Sequence, residues 1–225
     1  MLKKKGVSLI MKLNRYLDHT LLKPEATEQQ IDQAVHEALE NHFYSVMVNP
    51  YWVKHVHAQL AESDVATACV IGFPLGANTT EIKVAESKQA ITDGVDELDM
   101  VINIGELKGH NYGAVKQDIE SVVTVGHAAN KVVKVIIETA LLTDEEIIKA
   151  SEIVANAQAD FVKTSTGFST RGASVHDVTL MKGAVQNRIG VKASGGIHTR
   201  SEALAMIEAG ATRLGVSASM AIIGK

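Results

Sequence analysis

The chain has 225 residues, 46% of them hydrophobic and 21% charged, with a formal net charge of −4. That apolar supply suits one domain with a large core, and the weakly acidic balance gives no reason to expect nucleic acid or an anionic membrane as partner. A single cysteine, Cys69, excludes an internal disulfide and a cysteine-rich zinc site, and its apolar flanks suggest a buried strand.

The first eleven residues carry a lysine cluster and then a short apolar run, superficially like a secretory signal. Lys12 interrupts that run, and no Ala-x-Ala cleavage pattern follows. No stretch approaches the roughly 20 apolar residues of a membrane span. The expectation is a soluble cytoplasmic protein. Met11 is an alternative start, which would make residues 1–10 an upstream extension.

Along the chain, short β-branched runs alternate with helix-like stretches. The strand candidates are Tyr16–Thr20, Tyr44–Val48, Val65–Gly72, Glu97–Ile102, Val132–Glu138, Phe161–Ser165, Gly190–Ser194 and Arg213–Ser217. They recur every ~28 residues, the period of a strand–helix unit. Most are apolar on both faces, as parallel strands covered by helices are. Thr27 with Gln30, Thr143 with Glu146 and Thr199 with Glu202 fit the capping box, and Asn78 with Glu81 is a variant of it. Pro24, Pro50 and Pro74 each fall just after a strand candidate. No linker or composition shift marks a second domain. About eight units favour a closed (β/α)8 TIM barrel over an open doubly wound sheet. The expected division is a short N-terminal extension over residues 1–14 and one barrel domain over 15–225.

Such a barrel carries its site at the C-terminal ends of its strands. Three lysines interrupt otherwise apolar strands: Lys134, Lys163 and Lys192. A lone strand lysine is ordinarily an edge position or a snorkelling stem, but a closed barrel has no edges. Buried ammoniums need carboxylate partners or a function. Neighbouring ammoniums and desolvation both lower a lysine pKa, and a partly neutral lysine is the nucleophile that forms a Schiff base with a carbonyl. Asp99 is the carboxylate expected to point into the same cavity; Glu97 shares its parity, and Asp18 and Glu138 are further candidates. The Gly-rich breaks Thr164–Gly167, Ser194–Gly196 and Gly215–Ser217 follow strands six to eight. Glycines and amides there favour an anion, and residues 218–225 offer a short helix for a phosphate site. Arg200 is a weaker candidate. The nine histidines are scattered, and His55 and His57 diverge on a helix. Neither a His-Glu-x-x-His motif nor a dinucleotide fingerprint in the right context is present, so no metal and no cofactor is expected.

At these residues the chain resembles the deoxyribose-phosphate aldolases, a class I, Schiff-base-forming family. The matching segments are Asp18–Pro24, Val46–Pro50, Val70–Gly76, Glu97–Asn103, Lys134–Thr139, Phe161–Gly167 and Val191–Ile197, in order and over nearly the whole chain. The resemblance implies an aldehyde-lyase that reversibly cleaves 2-deoxy-D-ribose 5-phosphate to D-glyceraldehyde 3-phosphate and acetaldehyde, in deoxyribonucleoside catabolism. It implies Lys163 as the Schiff-base lysine and Lys192 as the ammonium that lowers its pKa. Asp99 then acts with Lys192 in proton transfer through an ordered water, with Asp18 and Lys134 in support. The phosphate lies near Gly167, Gly195, Gly196 and Ser217. Some members carry a second serine after the last strand, where this chain has Ala218. Family members are often dimers or tetramers, so a homo-oligomer acting on small phosphosugars and aldehydes is expected. The resemblance also favours Met11 as the start. A phosphosugar isomerase or a non-catalytic receptor would share the phosphate loops but have no use for the Lys163–Lys192 pair.

Overall fold

The computed structural model describes residues 13–225. The question of Met11 and most of the extension expected over residues 1–14 lie outside the described residues. Eight parallel strands close into a barrel in sequence order: β1 (Leu17–Leu21), β2 (Ser45–Val48), β3 (Ala66–Ile71), β4 (Glu97–Val101), β5 (Val132–Ile136), β6 (Phe161–Lys163), β7 (Gly190–Ser194) and β8 (Arg213–Val216). β8 pairs with β1 through Leu17 opposite Leu214 and His19 opposite Val216. Every strand lies within two residues of its expected bounds at either end. The fold is the expected (β/α)8 TIM barrel.

The helices that cover the strands are α1 (Glu28–Asn41), α2 (Val53–Leu60), α3 (Thr80–Thr92), α4 (Ile104–Lys108), α5 (Tyr112–Ala128), α6 (Asp144–Asn156), α7 (Val175–Val185), α8 (Arg200–Glu208) and α9 (Ser219–Ile223). Their starts follow local chemistry. Thr143 and Thr199 accept the amides of Glu146 and Glu202, whose carboxylates return the bond to the cap amides. At α1 the returning arm is the clear one, Gln30 Oε1 accepting from Thr27 N at 2.9 Å. At α3 the expectation is corrected. The cap residue is Thr79 rather than Asn78, because the helix begins one residue later, at Thr80. On α1, Ile31, Ala34, Val35 and Ala38 recur at helical spacing and are buried.

Alternation along each strand separates two interiors. Outward residues such as Leu17, Val46, Cys69, Leu98, Val133, Val162, Val191 and Leu214 join the helices in one large apolar core. The barrel lumen has a much smaller apolar cluster of Leu22, Met47, Ala68 and Val70, with Phe73 against it. Barrels of this class ordinarily fill the lumen with layers of branched aliphatics. Here β1 and β4–β8 fill it with charge.

Candidate active site

Seven charged side chains occupy the lumen, and all are buried: Asp18, Glu97, Asp99, Lys134, Lys163, Lys192 and Arg213. Strand register brings them together. Lys163 lies opposite Lys192 between β6 and β7, Lys192 opposite Arg213 between β7 and β8, and Asp99 opposite Lys134 between β4 and β5. Asp99 is the hub. Its Oδ1 accepts from Lys134 Nζ at 2.8 Å, and its Oδ2 accepts from Lys163 at 2.8 Å and from Lys192 at 2.7 Å. Lys192 also lies 2.5 Å from Asp18 Oδ2, and Lys134 donates to Glu97 at 2.7 Å.

Beneath these groups, Arg213 bridges Asp18 and Glu97, donating to Glu97 Oε2 at 2.8 Å. Its guanidinium stacks 3.4 Å from the Tyr44 ring centroid, with Phe161 at 5.8 Å. Aromatic faces suit a planar, weakly hydrated cation, and they close the lower lumen.

The charge count decides which group is odd. Four cations face three carboxylates, so full ionisation leaves one buried positive charge uncompensated. Burial acts to lower the Lys134 pKa, but Asp99 and Glu97 outweigh it and raise that ammonium above its ordinary value. Arg213 is likewise raised, burial being outweighed by Asp18 and Glu97. Burial acts against ionised Asp18 and Asp99 as well, yet the surrounding cations hold both below the usual carboxylate range. Lys163 goes the other way. Burial, then the charges of Lys192 and Lys134, lower it to about 8 against the opposing pull of Asp99. With Lys163 neutral, three cations face three carboxylates.

Lys163 is also the member of this cluster that reaches the cavity at the strands' C-terminal ends. That cavity holds about 370 Å³ and is lined by Thr20, Lys23, Lys163, Gly167, Phe168, Ser194 and their neighbours. Gly195, Gly196, Gly215 and Ser217 complete one wall. Gly167, Gly195 and Gly196 have φ of +88°, +80° and +73°, a region in which glycine is unstrained. Larger surface hollows of about 690 and 740 Å³ lie elsewhere and are lined by none of the seven charges.

The cavity thus offers an amine of lowered pKa at its floor and a wall of glycine backbone, the two features needed to fix a carbonyl and an anion on one small molecule. The sequence matches the DeoC/LacD family aldolase model over residues 12–224. The chain belongs to this aldolase family. Over 215 residues it is 90% identical to the deoxyribose-phosphate aldolase of Lactiplantibacillus plantarum, covering 96% of this chain and all of that one. It is 58% identical to the enzyme of the same name from Enterococcus faecalis, covering 95% of this chain and 96% of that one. A tetrameric deoxyribose phosphate aldolase from Aeropyrum pernix superposes with a TM-score of 0.89 at 30% identity, covering 98% of this chain and 94% of that one.

In this aldolase the residues singled out in the sequence fall in three groups. Lys163, Gly167, Gly195, Gly196 and Ser217 meet on the cavity wall. Lys192, Asp99, Asp18 and Lys134 join the buried network directly below. Asp99, expected to share a cavity with the strand lysines, bonds all three of them from a fully buried position under Lys163. The remaining candidates lie elsewhere. β5 ends at Ile136, and Glu138 sits beyond it with φ +56°, accepting the Thr166 amide at 3.2 Å and bonding the Thr166 hydroxyl. Arg200 begins α8 and is not on the cavity wall.

Three residues went unread. Arg213 sat at the start of a strand candidate, where an arginine reads as an exposed end. Its i+2 spacing from Gly215 is the signal that places it in the lumen. Thr20 and Lys23, within the Asp18–Pro24 segment, also reach the cavity. His55 and His57 do diverge. His55 bonds Asp32 at 2.7 Å, whereas His57 packs beside Gly94.

Proposed function

We propose that this aldolase reversibly cleaves 2-deoxy-D-ribose 5-phosphate to D-glyceraldehyde 3-phosphate and acetaldehyde through a Schiff base on Lys163. The observation that carries this reading is the position of Lys163. It is the surplus cation of a buried cluster, lowered to about 8, and the one member on the cavity wall. That the relatives from Lactiplantibacillus plantarum and Enterococcus faecalis are deoxyribose-phosphate aldolases supports the substrate.

In the cleavage direction neutral Lys163 Nζ attacks C1, and loss of water leaves an iminium. The C3 hydroxyl loses its proton as the C2–C3 bond breaks. The bonding electrons pass into the iminium to give an enamine, and D-glyceraldehyde 3-phosphate leaves. Protonation of the enamine carbon and hydrolysis then release acetaldehyde and restore the amine. Lys192 and Asp99, joined at 2.7 Å, are the proton relay, and Lys192 disfavours the charged form of Lys163. Asp18 and Lys134 hold this pair in place. The backbone at Gly167, Gly195, Gly196 and Ser217 receives the phosphate, where no side chain blocks its approach at the three glycines.

Assembly as a dimer or tetramer and a cytoplasmic setting belong to the same reading. The tetrameric Aeropyrum pernix structure supports the first. For the second, no described helix is long and apolar enough to cross a membrane.

The test is borohydride reduction in the presence of acetaldehyde, followed by peptide mass mapping. An ethyl adduct on Lys163 is the expected result. Reduction that labels no lysine, or labels Lys134 or Lys192 instead, overturns the assignment.

A further inference from the structure

The residue after Asp18 points the other way. His19 is on the outward face of β1, buried between α1 and α9. Two hydrogen bonds satisfy its ring. Nε2 lies 3.0 Å from Glu37 Oε2 on α1, and Nδ1 lies 2.8 Å from Ser219 Oγ at the start of α9. Burial lowers its pKa, against the pull of Glu37. In the neutral ring Nε2–H donates to the Glu37 carboxylate, so Nδ1 accepts from the Ser219 hydroxyl. Phe43 packs against the ring at 5.3 Å between centroids.

Glu37, His19 and Ser219 therefore form a chain from α1, through β1, to the turn that leaves β8. That turn carries part of the cavity wall. Gly215, Val216 and Ser217 line it, and Ser219, two residues on, is fully buried with its hydroxyl 3.4 Å from the Val216 carbonyl. The strand pairing repeats the link, since His19 lies opposite Val216. An imidazole fixed at one nitrogen by a carboxylate is an oriented acceptor at the other, as in sites where a second group orients a histidine.

We propose that His19, oriented by Glu37, is a positioning residue that holds the Val216–Ser219 turn through Ser219 and so sets the phosphate end of the cavity. This rests on the reading of that wall as a phosphate site. Neither His19 nor Ser219 touches the cavity, and Lys163 is held on β6 by its pairing with β7 and its bond to Asp99, so the effect falls on phosphate recognition and not on Schiff-base chemistry.

The experiment compares 2-deoxyribose 5-phosphate with unphosphorylated 2-deoxyribose for the parent, His19→Phe, His19→Asn, Ser219→Ala and the Phe/Ala double variant. His19→Phe and Ser219→Ala are expected to raise KM for the phosphorylated sugar roughly three- to tenfold, the size of one lost hydrogen bond. Changes in kcat are expected to stay within about twofold, as is kcat/KM for 2-deoxyribose. His19→Asn, which can keep an acceptor near Nδ1, is expected to recover part of the loss. The double variant should be no worse than the poorer single one, because both remove the same link.

Equal losses on both sugars, additive losses, or an unchanged KM would each overturn the proposal. If the His19 variants do not fold, the substrate split in Ser219→Ala decides it alone. A parent enzyme that does not cleave the phosphorylated sugar refutes the functional reading itself, which separates the two failures.

Discussion

Lys163 and Lys192 stand opposite each other in the pairing of β6 with β7, and one oxygen of Asp99 lies between their ammonium nitrogens, 2.8 and 2.7 Å away. One carboxylate oxygen between two lysines cannot neutralise both. Lys192 has a second partner in Asp18, whereas Lys163 faces the cavity. Asymmetric pairing, more than proximity alone, makes Lys163 the member that gives up its proton.

Replacing Lys192 with Leu removes a cation that disfavours charged Lys163 and leaves Asp99 Oδ2 to Lys163 alone. Both changes raise the Lys163 pKa. The reactive form is the neutral amine, so adduct formation rises with pH through about 8 in the parent. In Lys192→Leu the midpoint of borohydride trapping is expected to move up by about one pH unit or more. Turnover at neutral pH is expected to fall by ~100-fold or more as the relay is lost. Trapping measured across pH 6–10 checks this, and a midpoint that stays near the parent value rules out the coupling.

The same depressed pKa carries a stability prediction. Lys163 goes from 10.5 in its ordinary state to about 8 in the fold. Between these values the unfolded chain holds a proton that the folded one lacks, so stability rises with pH across that window. Below about 8 both states are protonated, and the penalty for the buried charge is fully present. Lys163→Met keeps the apolar stem and removes the charge. It is expected to stabilise the protein at pH 7 by about 1–3 kcal/mol, with most of that gain gone by pH 10. Urea unfolding at the two pH values tests it; a gain that is equal at both, or a loss at pH 7, contradicts the assigned penalty.

The barrel was legible because parity and period both survive in a single sequence. Strands such as Gly190–Ser194 are short, apolar and bounded by glycine, and each capping box marks where a helix begins. The three strand lysines stood out because nothing else in an aliphatic run resembles them. What stayed hidden depends on three-dimensional register. Arg213 becomes a lumen residue only once β8 closes on β1 and β7, and its pairing with Asp18 spans 195 positions. Glu138 looked like the end of a strand, yet a left-handed backbone at that position turns it toward Thr166. Lys83, fully buried and 2.5 Å from Asp118, gave no signal, since a lysine in a helical pattern reads as solvent-facing.

The loop glycines make the last prediction. Gly172, between β6 and α7, sits so close to the wall that an added Cβ would lie 2.1 Å from the Gly195 carbonyl oxygen and 2.2 Å from its carbon. Both are backbone atoms, so no side chain can swing away. Ala173 N, next in the chain, donates to the carbonyls of Ser194 and Gly195 at 3.1 and 3.0 Å, fastening the loop to the wall. Gly172→Ala must therefore push Gly195 and Gly196 aside or tear the loop from them. Lys163 and Asp99 are held by strand pairing and the buried network, which this clash does not touch. The expected outcome is a KM for 2-deoxyribose 5-phosphate raised about tenfold or more, a misfit of ~1–3 kcal/mol. Borohydride trapping of saturating acetaldehyde on Lys163 should proceed as in the parent. Steady-state kinetics and trapping on the same preparation separate the two effects. An unchanged KM would mean that the loop yields freely and that this backbone contact does not shape the phosphate wall.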